Sequence, residues 1–513
     1  MNLWARIFFA GMVLWGIQHS FAPEVKAQSA PRTFIVGDTR SLQNFDSAFC
    51  SVGVDVFLCR NIYQSLVRYK FNSNEFEGEL ARSWTVSGEG TVYRFRLRDD
   101  VRWHKGFGKF TAHDVKYSFD RVMAPETASS SGMELAREIK DARVIDDYTI
   151  EFTLNKACKP FLHLLAGPRG GGIVNRRAVE QFGNGYGRNP VGTGPFVFES
   201  WAQEHCSLKA NESFHEGPPG VQRIVFKTFA SKEDLGKALE RGEIDLTWIL
   251  PDDKSELGKM ERSGYRLVSW KSTVFQNLWM DNKTKPFDNL LVRRAVAHAI
   301  DKDALVKALR NNSAERLDSP IPKGFWGHTE EGIPRYPYKP EYAKTLLDGA
   351  GYAQGLEITL DLFSSPDYLP LAAAIVEQLS KINIRVKLNV IDPIAWWMKL
   401  SQGNSNFALA MPSRQPDADF VLRAFYHSAS FSPGFNVCRY DKIDDLIEKG
   451  RVEQDEKKRK EIYREIQRKW MEDVPGIPLL MRPSSALIKS HFTNIPEWDP
   501  LYGIDVYRLK IQN

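Results

Sequence analysis

An α/β architecture built from more than one lobe is predicted by three observations. Strand-like and helix-like stretches alternate from one end of the chain to the other, which argues against a repeat or a sandwich. The stretch at 92–123 reads as a strand leading directly into a capped amphipathic helix. The chain has 513 residues, more than a single hydrophobic core usually serves, so two or three domains are expected.

Each element follows from local pattern. Tyr93, Phe95 and Leu97 alternate with Arg94, Arg96 and Arg98, the signature of a strand with one apolar and one wet face. Thr111 and Asp114 then open a helical run through Val115, Phe119 and Val122. TIEFTL at 149–154 and RIVFKTFA at 223–230 read as strands, 231–239 as a helix, and GEIDLTWIL as a turn into a further strand. Behind Asp288 as cap, DNLLVRRAVAHAIDKDALVKAL places Leu291, Ala295, Ala299 and Leu305 on one helical face. INIRVKLNVI predicts a strand followed by a helix carrying Trp396 and Trp397. Ile462, Ile466 and Trp470 recur at spacing four on a heavily charged helix, a packing face.

Residues 1–27 read as a cleaved signal peptide. Arg6 precedes an apolar run over 7–17 that is too short to span a bilayer, and Val25, Lys26 and Ala27 suit signal peptidase. The remainder is one unit less positive than the whole chain's +5, too mild to argue for nucleic acid or an anionic surface. Cys50, Cys59, Cys158, Cys206 and Cys438 are an odd set, so at least one thiol stays unpaired or all five are reduced; Cys50 and Cys59 are close enough in sequence to pair. Without CxxC or HExxH spacing no metal or cofactor is expected. Without a GxSxG elbow or a nucleophile beside its base no catalytic residue is assigned, although scattered carboxylates keep a secreted hydrolase such as a glycosidase open as an alternative.

Five ordered segments carry a family resemblance: IYQSLV, GELARSW, TVYRFRLR, WHKG and TAHDVKYSFDRV within 60–123; PVGTGPFVF at 190–198; KPFDNLLVRRAVAHAIDKDALV from 285; YPYKPEYAKTLLDGAGY at 336–352; and MEDVPGIPLL at 471–480. IYQSLV is expected to be helical. Together these segments span nearly the whole chain after residue 27, which resembles the family 5 extracytoplasmic solute-binding proteins, the peptide-binder-like receptors of bacterial ABC importers. The resemblance implies a large periplasmic binding protein fold of two large lobes with a hinge plus a smaller inserted lobe. The first lobe is expected from 28–68, 195–284 and 490–513, the inserted lobe from 69–194 and the second lobe from 285–489. It also implies a periplasmic monomer that closes on a small-molecule solute and delivers it to a membrane permease.

Ligand residues are sought where the chain leaves the family pattern. Peptide-binding members typically place an acid in a late loop against the peptide's amino terminus; here that loop is MPSRQPDADFVLRAF at 411–425. Asp417 and Asp419 lie just after the acid's expected place, with Ser413 and Arg414 close to it, and an arginine fork there favours carboxylate or phosphate. The competing reading is a shifted loop in which Asp417 still meets an amine. In AGPRGGGIVNRR at 166–177, Arg169, Gly170 and Gly171 could bring backbone N–H groups and a charge to an anion, or form a flexible turn. In SSSG at 129–132, Ser131 and Gly132 could ring a polar ligand. Tyr368 falls where peptide-binding relatives carry cleft contacts, without the arginine that often holds a peptide carboxylate there. Trp396 and Trp397 point about 100° apart on a helix, so at most one is expected to face the cleft while the other packs in the core; Trp397 is the cleft candidate. The solute implied is a peptide or a peptide-like molecule, with an acidic opine or sugar conjugate as its variant form. A metal or haem receptor on the same fold is the other alternative, which the scattered histidines do not support.

Overall fold

The computed structural model describes residues 32–512 apart from 51–52, 204, 252–253, 310–313, 366–367 and 501–502. The expected signal peptide lies outside the described residues. Among the described residues no helix is long and apolar enough to cross a membrane.

Three main sheets organise the chain. The first is seven-stranded, in the order Tyr265–Trp270, Ser484–Lys489, Leu246–Thr247, Thr33–Asp38, Arg223–Thr228, His205–Ala210 and Phe196–Ala202. Its central pair, Thr33–Asp38 with Arg223–Thr228, runs parallel and buries Phe34, Val36, Ile224 and Phe226 completely. The second sheet is six-stranded, in the order Glu315–Arg316, Gly476–Met481, Phe275–Met280, Phe407–Ala410, Leu356–Phe363 and Ile384–Ile391. Every residue of Phe275–Met280 and of Gly476–Met481 is buried, as expected of strands covered on both faces. Helix Tyr368–Ser380 connects the parallel strands Leu356–Phe363 and Ile384–Ile391, a βαβ unit.

Between Thr33–Asp38 and Phe196–Ala202 of the seven-stranded sheet, the polypeptide builds a smaller antiparallel sheet, Ala81–Ser87, Val92–Leu97, Thr149–Leu154 and Ile139–Asp146. Tyr93, Phe95 and Leu97 are buried while Arg94 and Arg96 stand in solvent, the alternation that the sequence predicts. Thr111 and Asp114 form a reciprocal capping box on helix Ala112–Met123. One apolar core is continuous through this inserted lobe and the first lobe and reaches Phe420 of the second; a smaller cluster around Leu235, Ile244 and Tyr265 lies in the first lobe, and the second lobe carries its own clusters.

Several expectations are corrected. IYQSLV is not a helix: the helix Gly53–Ile62 ends at its first residue, and an irregular stretch leads to strand Val67–Tyr69. The single helix expected after Asp288 is two, Leu290–Ala299 capped by Asn289 and Lys302–Ala308 capped by Asp301, because Ile300 takes an extended conformation between them. The lobe boundaries also move. Strand Phe275–Met280 already pairs in the second sheet, so the chain crosses before residue 275 rather than at 285; strand Ser484–Lys489 pairs in the first sheet, so it returns before residue 484 rather than at 490. All five cysteines are buried free thiols, and the Cys59 thiol donates to the Phe45 carbonyl at 3.6 Å.

Candidate ligand-binding cleft

A cavity of about 1110 Å³ lies between the second lobe on one side and the inserted lobe with part of the first lobe, Ala48, Phe49, Cys50 and Val56, on the other. One wall is helix Ser130–Glu138, which presents Ser131, Glu134 and Glu138, together with the turn at Pro168–Gly171, which presents Arg169. The opposite wall presents Ser413, Arg414, Phe420, Arg423, Phe435 and Arg451.

The first wall is held by short-range chemistry. Ser129 caps the helix by accepting from the Gly132 N–H at 3.2 Å, and its own hydroxyl donates to the Ala48 carbonyl at 2.7 Å. Gly132 does not line the cavity. A Cβ there would sit 1.7 Å from the Val122 carbonyl oxygen, so its missing side chain lets this helix pack against Ala112–Met123. The glycines after Arg169 are also packing residues. Gly170 adopts φ of 75° and gives its N–H to the Ser47 carbonyl at 3.3 Å, and a Cβ on Gly171 would meet the Leu165 carbonyl oxygen at 2.5 Å. The run therefore orients Arg169 toward the cavity rather than offering an N–H cradle of its own.

Across the cleft, Ser413 and Thr273 share a hydroxyl hydrogen bond of 2.7 Å at the cavity surface. The Arg414 guanidinium lies 5.2 Å from the Phe425 ring centroid, a cation–π contact that steadies it at the wall. Asp417 stands elsewhere. It is 2% exposed, caps helix Ala418–Phe425 and receives the Arg459 fork at 2.8 and 2.9 Å, so both oxygens are occupied away from the cavity. Tyr368 is fully buried in the second lobe, 4.3 Å from the Phe363 ring centroid, and does not reach the cleft. Trp396 is in the core as expected, but Trp397 stands one ring behind the surface, edge-on at 5.1 Å to the cavity-lining Phe435.

Three interactions across the lobes were not visible in local pattern. Arg451, buried in the second lobe, pairs with Asp419 of its own lobe and with Glu138 of the inserted lobe at 2.6 Å. Burial opposes the Arg451 charge, yet Asp419 and Glu138 more than offset it and hold the guanidinium ionised. The Lys159 N–H donates to the Arg451 carbonyl at 3.1 Å, and the His163 ring meets Phe420 edge-on at 5.7 Å. Burial pushes His163 down to about 4, so its imidazole is neutral against the Tyr69 hydroxyl, 2.7 Å away. The lobes are thus in contact around the cavity.

The cavity's charge is unbalanced. Arg137, Lys156, Arg169, Arg414, Arg423 and Arg451 line it against Glu134, Glu138 and Glu448. Glu448 is paired with Arg423 at 2.8 Å. Among the described residues no group of three or more His, Cys, Asp or Glu side chains is arranged to hold a metal ion.

Residues 75–433, well over half of the chain, match the bacterial extracellular solute-binding proteins, family 5. The chain belongs to this family. It is a solute-binding protein of the ABC-importer class, with the fold of the periplasmic binding proteins of this type. The di/tripeptide-binding protein 2 of Pseudomonas aeruginosa (strain UCBPP-PA14) is 28% identical over 90% of this chain and 91% of its own. The periplasmic binding protein DppA from Helicobacter pylori, solved in complex with the peptide STSA, is 28% identical with a TM-score of 0.79, covering 94% of this chain and 98% of the other. The binding protein MoaA from A.tumefacien R10, solved with mannopinic acid, is 26% identical with a TM-score of 0.80, covering 94% and 100%. The family consists of binding proteins rather than enzymes.

Proposed function

We propose that this protein captures a small polar solute bearing an acidic group, in the periplasm, and hands it to the membrane permease of an ABC importer. The solute class is peptide-like, opine or sugar conjugate. The observation that carries this reading is the exchange of charge at the late loop: Arg414 lines the cavity, while Asp417 is consumed by Arg459. Arg169 lines the opposite wall, so an acidic group between the two cations meets both only when the lobes are together. Contacts made only in the closed form are what shift an open–closed balance, because a ligand moves that balance by its differential affinity alone. At about 1110 Å³ the cavity stands slightly above the roughly 300–1,000 Å³ that small-molecule sites commonly enclose, so it has room for a small solute and water around it. Relatives solved with a peptide and with mannopinic acid support the range of chemistry proposed.

Native mass spectrometry of protein purified without denaturation tests the reading, with a retained acidic solute as the expected result. Equal thermal stabilisation by neutral and acidic solutes would overturn it.

A further inference from the structure

Three carboxylates line the cavity, and two are accounted for: Glu138 by Arg451 and Glu448 by Arg423. Glu134 is different. Among the described residues it makes no hydrogen bond and no ion pair within 4.0 Å, although it sits on the cavity wall within the electrostatic reach of Arg414 and Arg451. Resting on the acidic-solute reading above, we infer that Glu134 is a second anchor, which receives a basic nitrogen carried by the solute close to its acidic group. The ligand is then a zwitterion, not a simple acid.

The geometry supplies both halves of such a site. Glu134 projects from the inserted lobe and Arg414 from the second lobe, so an ammonium and a carboxylate on one solute would each find the opposite charge across the cleft. Ser131 lies three residues before Glu134 on the same helix and also lines the cavity, which places a neutral hydroxyl acceptor beside the carboxylate. An ammonium has more than one N–H to donate and would use both. Physical cost points the same way. Desolvation raises the Glu134 carboxyl above the ordinary range despite the pull of Arg414 and Arg451, so holding it ionised without a direct partner works against folding. A carboxyl desolvated in this way on the wall of a cleft, beside arginines that favour its ionised form, is a mark of a binding site. The two nitrogen sources, a peptide amino terminus and the secondary amine of an opine, share this chemistry.

The experiment compares wild type, Glu134→Gln and Arg414→Ala by calorimetric titration with matched probes. One set is the dipeptide Ala-Ala, N-acetyl-Ala-Ala and Ala-Ala amide. The second is mannopinic acid and its N-acetylated form, with gluconate as an acid lacking nitrogen. Expected is binding of Ala-Ala or mannopinic acid about 10- to 100-fold tighter than its N-acetyl form, the range for losing one charge-assisted contact, and loss of that discrimination in Glu134→Gln. Which set responds separates peptide from opine. Wild-type binding of N-acetyl forms or gluconate as tightly as zwitterions, abolished by Arg414→Ala, would overturn the role of Glu134 and leave the acidic-solute reading standing. Tight binding of the amide, lost in Glu134→Gln and untouched in Arg414→Ala, would do the reverse. Failure of every probe overturns both. The unliganded melting temperature of Glu134→Gln is expected to equal or exceed wild type; a fall would give Glu134 a structural role and sink the inference.

Discussion

Glu134 and Glu138 lie one turn apart on the same helix and line the same cavity, yet their surroundings differ in kind. Glu138 is met by Arg451 from the other lobe, and Arg451 is itself held by the fully buried Asp419. Glu134 has no such partner among the described residues, only the fields of Arg414 and Arg451 at longer range. One carboxylate therefore joins lobe to lobe directly, and the other leaves a gap for a third party to fill. A receptor needs both. Direct pairs set how readily the lobes meet, and the unfilled gap determines which solute makes the meeting favourable.

The strongest way to break the paired side of this comparison is Arg451→Met. It leaves Asp419 buried without its partner and removes the bridge to Glu138, so a loss of about 3–5 kcal/mol in denaturant unfolding is expected. A loss below about 1 kcal/mol would mean that the pair contributes little. Next in size is Arg414→Ala on the ligand side. Affinity for an acidic solute should fall about 10- to 100-fold, with the unliganded melting temperature nearly unchanged, because Arg414 is only half-buried and rests against Phe425. Survival of solute-induced stabilisation in that variant would remove Arg414 as an anchor. Glu138→Gln sharpens the contrast more gently. Arg451 keeps Asp419, so stability should drop by about 1 kcal/mol or less, while affinity weakens several-fold as the closed form loses one bridge. Small-angle scattering should then show a larger unliganded radius than in wild type.

What the sequence discloses and what it hides follow the range of the interactions involved. The strand Val92–Leu97 and the capping box at Thr111 and Asp114 are legible because their causes lie within a few residues. The break after Ala299 is not, since the apolar pattern continues past Ile300 and the signal that restarts the helix is the cap at Asp301, which also reads as an ordinary polar helical residue. The crossing into the second lobe is hidden in a continuous strand-like run, where nothing local tells Tyr265–Trp270 in one sheet from Phe275–Met280 in the other. The same rule governs the cleft. Arg414 and Arg169 could be nominated from loops that leave the family pattern, and both line the cavity. Asp417 was misleading because its partner Arg459 lies 42 residues away, and Tyr368 because its packing against the second-lobe core is tertiary. Glu134 sits in SSSGMELARE, two residues after Gly132, but only the fold reveals that Glu138 has a partner and Glu134 does not.

The smallest expected effect concerns pH, and its sign separates what Glu134 does to stability from what it does in binding. Glu134 is raised by burial; Arg414 and Arg451 lower it in part, and Glu138 and Asp419 push it further up. A carboxyl raised in the folded state binds its proton more tightly there than in the unfolded chain. Its contribution to unliganded stability is therefore present at acid pH and is lost as pH rises from the ordinary glutamate value through the raised one. Solute binding has the opposite sign, because an ammonium pairs with the ionised form, so affinity should fall as pH falls through that same interval. Between about pH 8 and about pH 4.5 the Ala-Ala or mannopinic acid titration should weaken by less than a decade per pH unit, while Glu134→Gln shows a flatter profile. Taking the difference between variant and wild type removes the background of His163 and other groups that titrate in both proteins. Parallel profiles for the two proteins would show that the ionisation of Glu134 is not read by the solute.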